Sequence, residues 1–251
     1  MNKTINNDEI ERYSRQIVLK DVGIFGQKKI LNSKILVVGA GGLGCPVIDI
    51  LTRSGAKNIT IADNDKVSLS NLHRQTMYDT FDIGKFKVDV VKKKIKKINP
   101  SSKIKIIKKR ISNINLSKII KKFDILVDGS DNFKTKFLLN DYGIKYKKIL
   151  VLAAISKFDG HVFSFNFQNN KVPCLRCFYQ TEPSNDILNC ETEGILGTTA
   201  SILGGIQANE VLRNILKLKN NLDGSILIIN LLKLNFKKVA FSKKKKCICS
   251  K

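Results

Sequence analysis

The strongest constraint on this chain is the run Lys34-Ile-Leu-Val-Val38, which leads directly into Gly39-Ala-Gly-Gly-Leu-Gly44. A β-branched run that meets glycine without a linker predicts a strand ending in a tight turn. The helical pattern that follows to about Ser54, and the run Asn-Ile-Thr-Ile-Ala at 58–62, complete a βαβ unit. Parallel strands need such a crossover, so the chain is committed to an α/β sheet. Within the turn, Gly39 permits the bend, Gly41 lets a phosphate approach the backbone, and Gly44 lets the helix pack on the strand. Asp63, 24 residues after Gly39, ends the second strand, where a carboxylate can accept from ribose hydroxyls. By itself the pattern suits NAD, FAD or ATP, or a glycine turn that binds nothing.

Further strands are predicted at 104–107, 124–128 and 149–154, with helices over 85–98, near 115–122 and over 132–146. The alternation predicts a Rossmann-like, doubly wound α/β core over about 34–155. Ahead of it, 8–31 reads as helical with Asp8 as its cap. Behind it, His161-Val-Phe-Ser-Phe-Asn-Phe167 alternates as an antiparallel strand would. A helix over about 198–218 and two strands, Ser-Ile-Leu-Ile-Ile-Asn and Leu-Asn-Phe-Lys-Lys-Val, complete the chain. No repeat or flexible linker appears, so residues 1–251 are expected to form one domain with a mixed sheet, N-terminal helices and a C-terminal antiparallel extension.

The formal net charge is +24, which invites a nucleic-acid reading, because basic surfaces attract phosphate backbones. The 45 basic residues, however, include only seven arginines. Phosphate and base-edge recognition favours the planar arginine fork. Lysine in place of arginine, beside abundant Ile and Asn, fits a genome poor in G and C, so the excess is read as solvation and no specific nucleic-acid partner is expected. The longest purely apolar stretch, Ile149 to Ile155, is too short for a bilayer, and the N-terminus has no apolar leader. A soluble cytoplasmic protein without membrane association is expected.

Beyond the second strand lie Ser70-Asn-Leu-His-Arg-Gln75, then Lys87, then Gly129-Ser-Asp-Asn132 after the fourth strand. In an open α/β sheet these positions gather at the carboxyl ends of strands, where ligands bind. One Arg, one Lys and one Asp converging there suit a triphosphate with Mg²⁺, since cations neutralise phosphate oxygens and a carboxylate holds metal. No GxxxxGK[ST] run is present, which excludes a P-loop. Other readings stay open. Asp131 can serve as a helix cap, Asp128 is a second candidate metal carboxylate, and Lys85 competes with Lys87.

Six stretches carry a resemblance: Arg-Tyr-Ser-Arg-Gln-Ile-Val-Leu at 12–19, the glycine turn at 39–44, Asp-Asn-Asp-Lys-Val-Ser-Leu-Ser-Asn-Leu-His-Arg-Gln at 63–75, Ser-Asp-Asn at 130–132, Cys-Leu-Arg-Cys at 174–177 and Asn-Cys-Glu-Thr-Glu-Gly-Ile-Leu-Gly at 189–197. In order and spacing they resemble the HesA/MoeB/ThiF adenylyltransferases, relatives of ubiquitin-activating enzymes, over about residues 8–250. Ending at the last cysteine pair, the sequence resembles the versions without a fused rhodanese domain. The resemblance implies that ATP adenylates the C-terminal Gly-Gly carboxylate of a small ubiquitin-like sulfur carrier, for thiamine-thiazole or molybdopterin synthesis. It implies nucleotide contacts from Gly39, Gly41, Gly42, Asp63, Asn71, Arg74, Gln75, Lys87, Asp131 and Asn132, with Asp131 organising Mg²⁺. It further implies that Arg15 reaches into a partner subunit, hence a homodimer, and that a sulfurtransferase or cysteine desulfurase supplies sulfur. Residues 156–251 would form the carrier-binding half. Cys45, in Gly-Gly-Leu-Gly-Cys, leans toward the molybdopterin type, though packing explains it equally. An NAD(P)-dependent oxidoreductase rests on the glycine turn alone, and an inactive carrier-binding scaffold does not need the charged set.

Of six cysteines, Cys174 and Cys177 form a CxxC and Cys247 and Cys249 a CxC. In a reducing compartment, paired spacings suggest Zn²⁺ before disulfides. The resemblance implies a four-cysteine structural zinc site, but its second pair is ordinarily CxxC, and one residue fewer is expected to strain the chelate. Cys190 aligns with a cysteine that relatives can use to link covalently to the carrier. His73 is expected to make a polar contact, and His161 to pack.

Overall fold

A computed structural model describes residues 5–179, 181, 183, 194–219 and 222–250. Eight strands form one sheet: β1 (Lys34–Val38), β2 (Asn58–Ala62), β3 (Lys105–Ile107), β4 (Ile125–Asp128), β5 (Ile149–Ser156), β6 (Asp159–Asn166), β7 (Ser225–Asn230) and β8 (Asn235–Ala240). Their order is β3-β2-β1-β4-β5-β6-β7-β8. The first five are parallel, with Val38 facing Ala62 on one side and Asp128 on the other. The last three run antiparallel and extend the same sheet.

Period-2 alternation sends Ile35 and Val37 to one core and Leu36 and Val38 to the other. Helices cover both faces, which is why the inner strands are apolar throughout rather than alternating. On the first face lie α4 (Gly44–Arg53), α5 (Lys87–Ile98) and α9 (Gly197–Leu216), and on the second α6 (Asn113–Ile119) and α7 (Phe133–Lys145), their buried residues joining the respective cores. Short helices α1 (Asn7–Arg12), α2 (Ser14–Ile17), α3 (Gly23–Asn32) and α8 (Leu175–Phe178) complete the set among the described residues. None of the described helices is long and apolar enough to cross a membrane.

The N-terminal segment departs from expectation. One helix over 8–31 is instead three, and the cap is Asn6, which accepts from the Glu9 N–H in a capping box, while Asp8 sits in the first turn. The break has a tertiary cause. Tyr13 turns its ring inward, is 1% exposed, and its hydroxyl accepts from Asn99 Nδ2 at 2.9 Å. Helical periodicity carries no trace of that docking.

Candidate active site

The strand order reverses between β1 and β4, and the loops leaving those two carboxyl ends part to form a cleft of about 320 Å³. The glycine turn makes one wall. Gly39 has φ +91°, and a Cβ there would lie 2.7 Å from the Gly129 carbonyl oxygen. The two loops therefore touch backbone to backbone. No side chain caps α4, and Gly41, Gly42 and Leu43 at the end of the glycine turn line the cleft wall. Asp63 closes the turn from below. Its Oδ2 accepts from the Ala40 N–H at 2.7 Å and its Oδ1 from the Asp65 N–H at 2.7 Å. Burial pushes its carboxyl above the usual range, with those two N–H groups opposing the shift.

Cations and carboxylates meet across this space. Arg74, Gln75, Lys87 and Asp131 all line the cleft, as do Asp63 and Asn132. Arg74 Nη1 donates to the Ser70 carbonyl at 2.8 Å and lies 2.7 Å from His73 Nε2, which aligns the guanidinium. Gln75 is buried, and its Oε1 has no partner among the described residues. Lys87 Nζ pairs with Asp65 Oδ2 at 3.1 Å. Lys85 instead pairs with Asp82 outside the cleft, and of the two lysines only Lys87 lines it. Asn71 is not among the lining residues. It shapes the turn that presents the others: its carbonyl accepts from the Arg74 and Gln75 N–H groups, and its Oδ1 from the Ser68 N–H.

The β4 loop separates the carboxylate roles. Asn132 caps α7, accepting from the Thr135 N–H at 2.9 Å, so Asp131 is not the cap and its exposed side chain faces the cleft. Asp128 is fully buried and bonded to Lys136 Nζ at 2.8 Å, which removes it as the cleft's metal carboxylate. Sequence reading passed over Lys136, because a lysine within an amphipathic helix reads as solvated. It also passed over Asp65, Lys109 and Arg110, all lining residues. The last two follow β3 at its carboxyl end, so the rule that found Arg74 had the signal to find them.

The four paired cysteines converge. Cys174 Sγ lies 4.0 Å from Cys177 Sγ and 3.5 Å from Cys247 Sγ, with Cys177 and Cys249 3.5 Å apart and all four within 4.8 Å. Sulfurs bound tetrahedrally about 2.3 Å from one zinc would lie about 3.8 Å apart, so the donor set fits that ion. A 3₁₀ turn, Ile248–Ser250, accommodates the expected CxC strain. Burial and neighbouring thiols push Cys174 up. At Cys177 burial is overcome by backbone N–H groups, including Lys244 at 3.4 Å, and the thiol is lowered.

Cys45 is buried, donates to the Ala40 carbonyl at 3.3 Å, and is pushed by burial to about 12, the state of a packing residue. Cys190 lies outside the described residues. Arg15 is exposed and does not line its own chain's cleft. Its segment also exposes Val18, Leu19, Ile24 and Phe25. His161 sits on β6, where burial lowers its pKa.

The ThiF family matches residues 13–251. A sulfur carrier protein adenylyltransferase of Thermus thermophilus is 34% identical over 96% of this chain and 90% of its own length. A "probable molybdopterin-synthase adenylyltransferase" of Gracilaria tenuistipitata var. liui is 37% identical over 94% of this chain and 66% of its own length. The adenylyltransferase and sulfurtransferase MOCS3 of Drosophila virilis is 37% identical over 98% of this chain, which spans 55% of that protein. Among solved structures, E. coli MccB with ATP superposes with a TM-score of 0.82 at 23% identity, over 98% of this chain and 75% of MccB, a likeness of fold.

Proposed function

The chain belongs to the ThiF family, and from that premise we propose that it uses ATP to adenylate the C-terminal Gly-Gly carboxylate of a small ubiquitin-like sulfur carrier. The observation that carries this reading is the meeting of Arg74, Lys87 and Asp131 with the glycine turn in one cleft. A carrier carboxylate oxygen attacks the α-phosphorus, forming a new P–O bond. The bond from that phosphorus to the bridging oxygen breaks, and pyrophosphate leaves with the electron pair. No proton has to move, so the protein must supply charge and position rather than an acid or a base. Amides of Gly41 and Gly42 and the cations Arg74 and Lys87 receive the phosphates. Asp63 faces the ribose hydroxyls, and Gln75 offers its free Oε1 to the nucleotide. Asp131 is the hard oxygen donor that suits Mg²⁺, with Asn132 beside it. When bound, that ion would neutralise phosphate charge. A dinucleotide oxidoreductase leaves Arg74, Lys87, Lys109 and Arg110 with too little phosphate charge to meet.

The remaining assignments extend this reading. Arg15 would enter the cleft of a second copy, and exposed Val18, Leu19, Ile24 and Phe25 on the same segment supply an apolar surface for that copy to cover. The carrier would dock on the half formed by residues 156–251, where Leu232, Leu234 and Phe236 are exposed around the β7–β8 hairpin. The acyl adenylate would then serve thiamine-thiazole or molybdopterin synthesis, after sulfur delivery by a sulfurtransferase or cysteine desulfurase. Cys190 is the candidate thiol for a covalent carrier link. The test is carrier-stimulated exchange of pyrophosphate into ATP. Non-reducing gels of the same reactions report any conjugate, which should vanish in Cys190→Ser.

Cys174, Cys177, Cys247 and Cys249 are proposed to hold a structural zinc that joins the chain's end to the α8 turn. Metal analysis of fresh, unchelated protein should find about one zinc per chain, and Cys249→Ser should lose most of it. Well under one per chain in the unsubstituted protein would refute the site.

A further inference from the structure

Lys136 is 1% exposed, yet it stands in the first turn of α7, where a cation opposes the helix dipole. Neither solvation nor helix electrostatics accounts for it. Helical side chains lean toward the N-terminus, which carries the ammonium back over the β4 loop. There all three of its protons are used. It donates to Asp128 Oδ2 at 2.8 Å, to the Ser130 carbonyl at 2.8 Å and to the Ala153 carbonyl at 2.7 Å. Asp128 completes the arrangement by accepting, on Oδ1, from the Ser130 N–H at 3.0 Å and hydroxyl at 2.6 Å. From the opposite face of the sheet, Gln207 Nε2 of α9 donates to the carbonyls of Asp128 at 2.8 Å and Val151 at 3.2 Å. The Gly129 N–H donates to Val38 at 2.8 Å. Thus four backbone polar groups between Asp128 and Ser130 are tied on the way to Asp131.

We propose that Lys136 is a positioning residue for Asp131: with Asp128 it clamps the Gly129–Ser130 turn from beneath, so that the Asp131 carboxylate is presented to the cleft in one orientation. Buried ion pairs contribute little net stability, since an apolar pair of like volume often serves as well. The pair's use here is geometric. Its second effect is electrostatic. By neutralising Asp128, Lys136 leaves Asp131 as the uncompensated carboxylate of the two, so a divalent cation is directed there and not to Asp128.

The inference rests on the nucleotide-binding reading, and the experiment separates the two. ATP binding to the full chain is measured calorimetrically across a Mg²⁺ series, beside pyrophosphate exchange. Lys136→Met alone strands a buried carboxylate and is a folding risk, so the principal variant is Asp128→Asn with Lys136→Met, which buries no charge. It should unfold cooperatively near the wild-type temperature, yet need at least tenfold more Mg²⁺ for half-maximal ATP binding. Lys136→Arg, which keeps a buried cation with several donors, should recover most of that loss. Amide exchange of the wild-type protein reports without substitution: Gly129 and Ser130 should be as protected as β4. Unchanged Mg²⁺ dependence in the folded double variant, or Gly129 and Ser130 amides exchanging like an open turn, would overturn the clamp. Wild-type protein that binds no ATP at any Mg²⁺ level would refute the nucleotide reading instead.

Discussion

Asp131→Ala should lower carrier-stimulated pyrophosphate exchange by at least about 100-fold, because on the proposed reading it deletes the carboxylate that would hold Mg²⁺. It should do so while leaving the fold intact. Asp131 is exposed, and among the described residues its side chain has one hydrogen bond, a 3.4 Å contact from Asn132 Nδ2. Losing such a contact changes stability by about 0.5 kcal/mol or less, which corresponds to a melting shift of about 1–2 °C for a chain of this size. Asp128→Ala differs in kind, because it releases the Gly129–Ser130 turn and strikes the fold as well. It leaves the buried Lys136 ammonium uncompensated and should cost about 3–5 kcal/mol of stability. Exchange at the wild-type rate in Asp131→Ala would remove this residue from the chemistry.

Gly44→Ala is the second large effect, and its cause is steric. A Cβ at position 44 would lie 2.1 Å from the Gly39 carbonyl oxygen and 2.8 Å from its carbon. Both are backbone atoms of a turn already pressed against Gly129, so neither has room to yield. Relief requires α4 to lift from β1, spoiling the glycine turn and the packing beneath it. A loss of about 3 kcal/mol or more is expected, at the upper end of overpacking penalties, together with loss of ATP binding. Gly41→Ala is the control. Its Cβ would meet only Gln75 Nε2, at 3.6 Å, so that variant should melt like the wild type. Its ATP affinity should still fall, because the methyl enters the cleft where, on the proposed reading, phosphate approaches the backbone. Equal stability of Gly44→Ala and Gly41→Ala, read by thermal melts, would show that the turn is looser than described.

What was legible in the chain follows from which interactions are local. The β1–turn–α4 unit could be read because strand run, glycines and helix are contiguous, and Gly39 and Gly44 answer backbone contacts with the neighbouring β4 loop and within the unit. The placement of Arg74, Lys87 and Asp131 could be read because parallel strands send all their following loops to one edge. Three features resisted for a shared reason, since each depends on a partner distant in sequence. Tyr13 breaks the first helix by docking against Asn99. Lys136 looks like a surface lysine until β5 supplies the Ala153 carbonyl. The CxC pair looks too short until the 3₁₀ turn brings Cys247 and Cys249 to the first pair. Lys109 and Arg110 are a different case, because the strand-edge rule already pointed to them.

The most direct test of the account is pyrophosphate exchange by the unsubstituted chain, with Mg²⁺ and a small carrier ending in Gly-Gly, run beside the same carrier lacking its last two residues. The account predicts exchange with the intact carrier and background with the truncated one. NAD in place of ATP should neither bind tightly nor compete. Exchange that ignores the carrier's C-terminus, or its absence with carriers of both the thiamine and molybdopterin types alongside tight NAD binding, would contradict it.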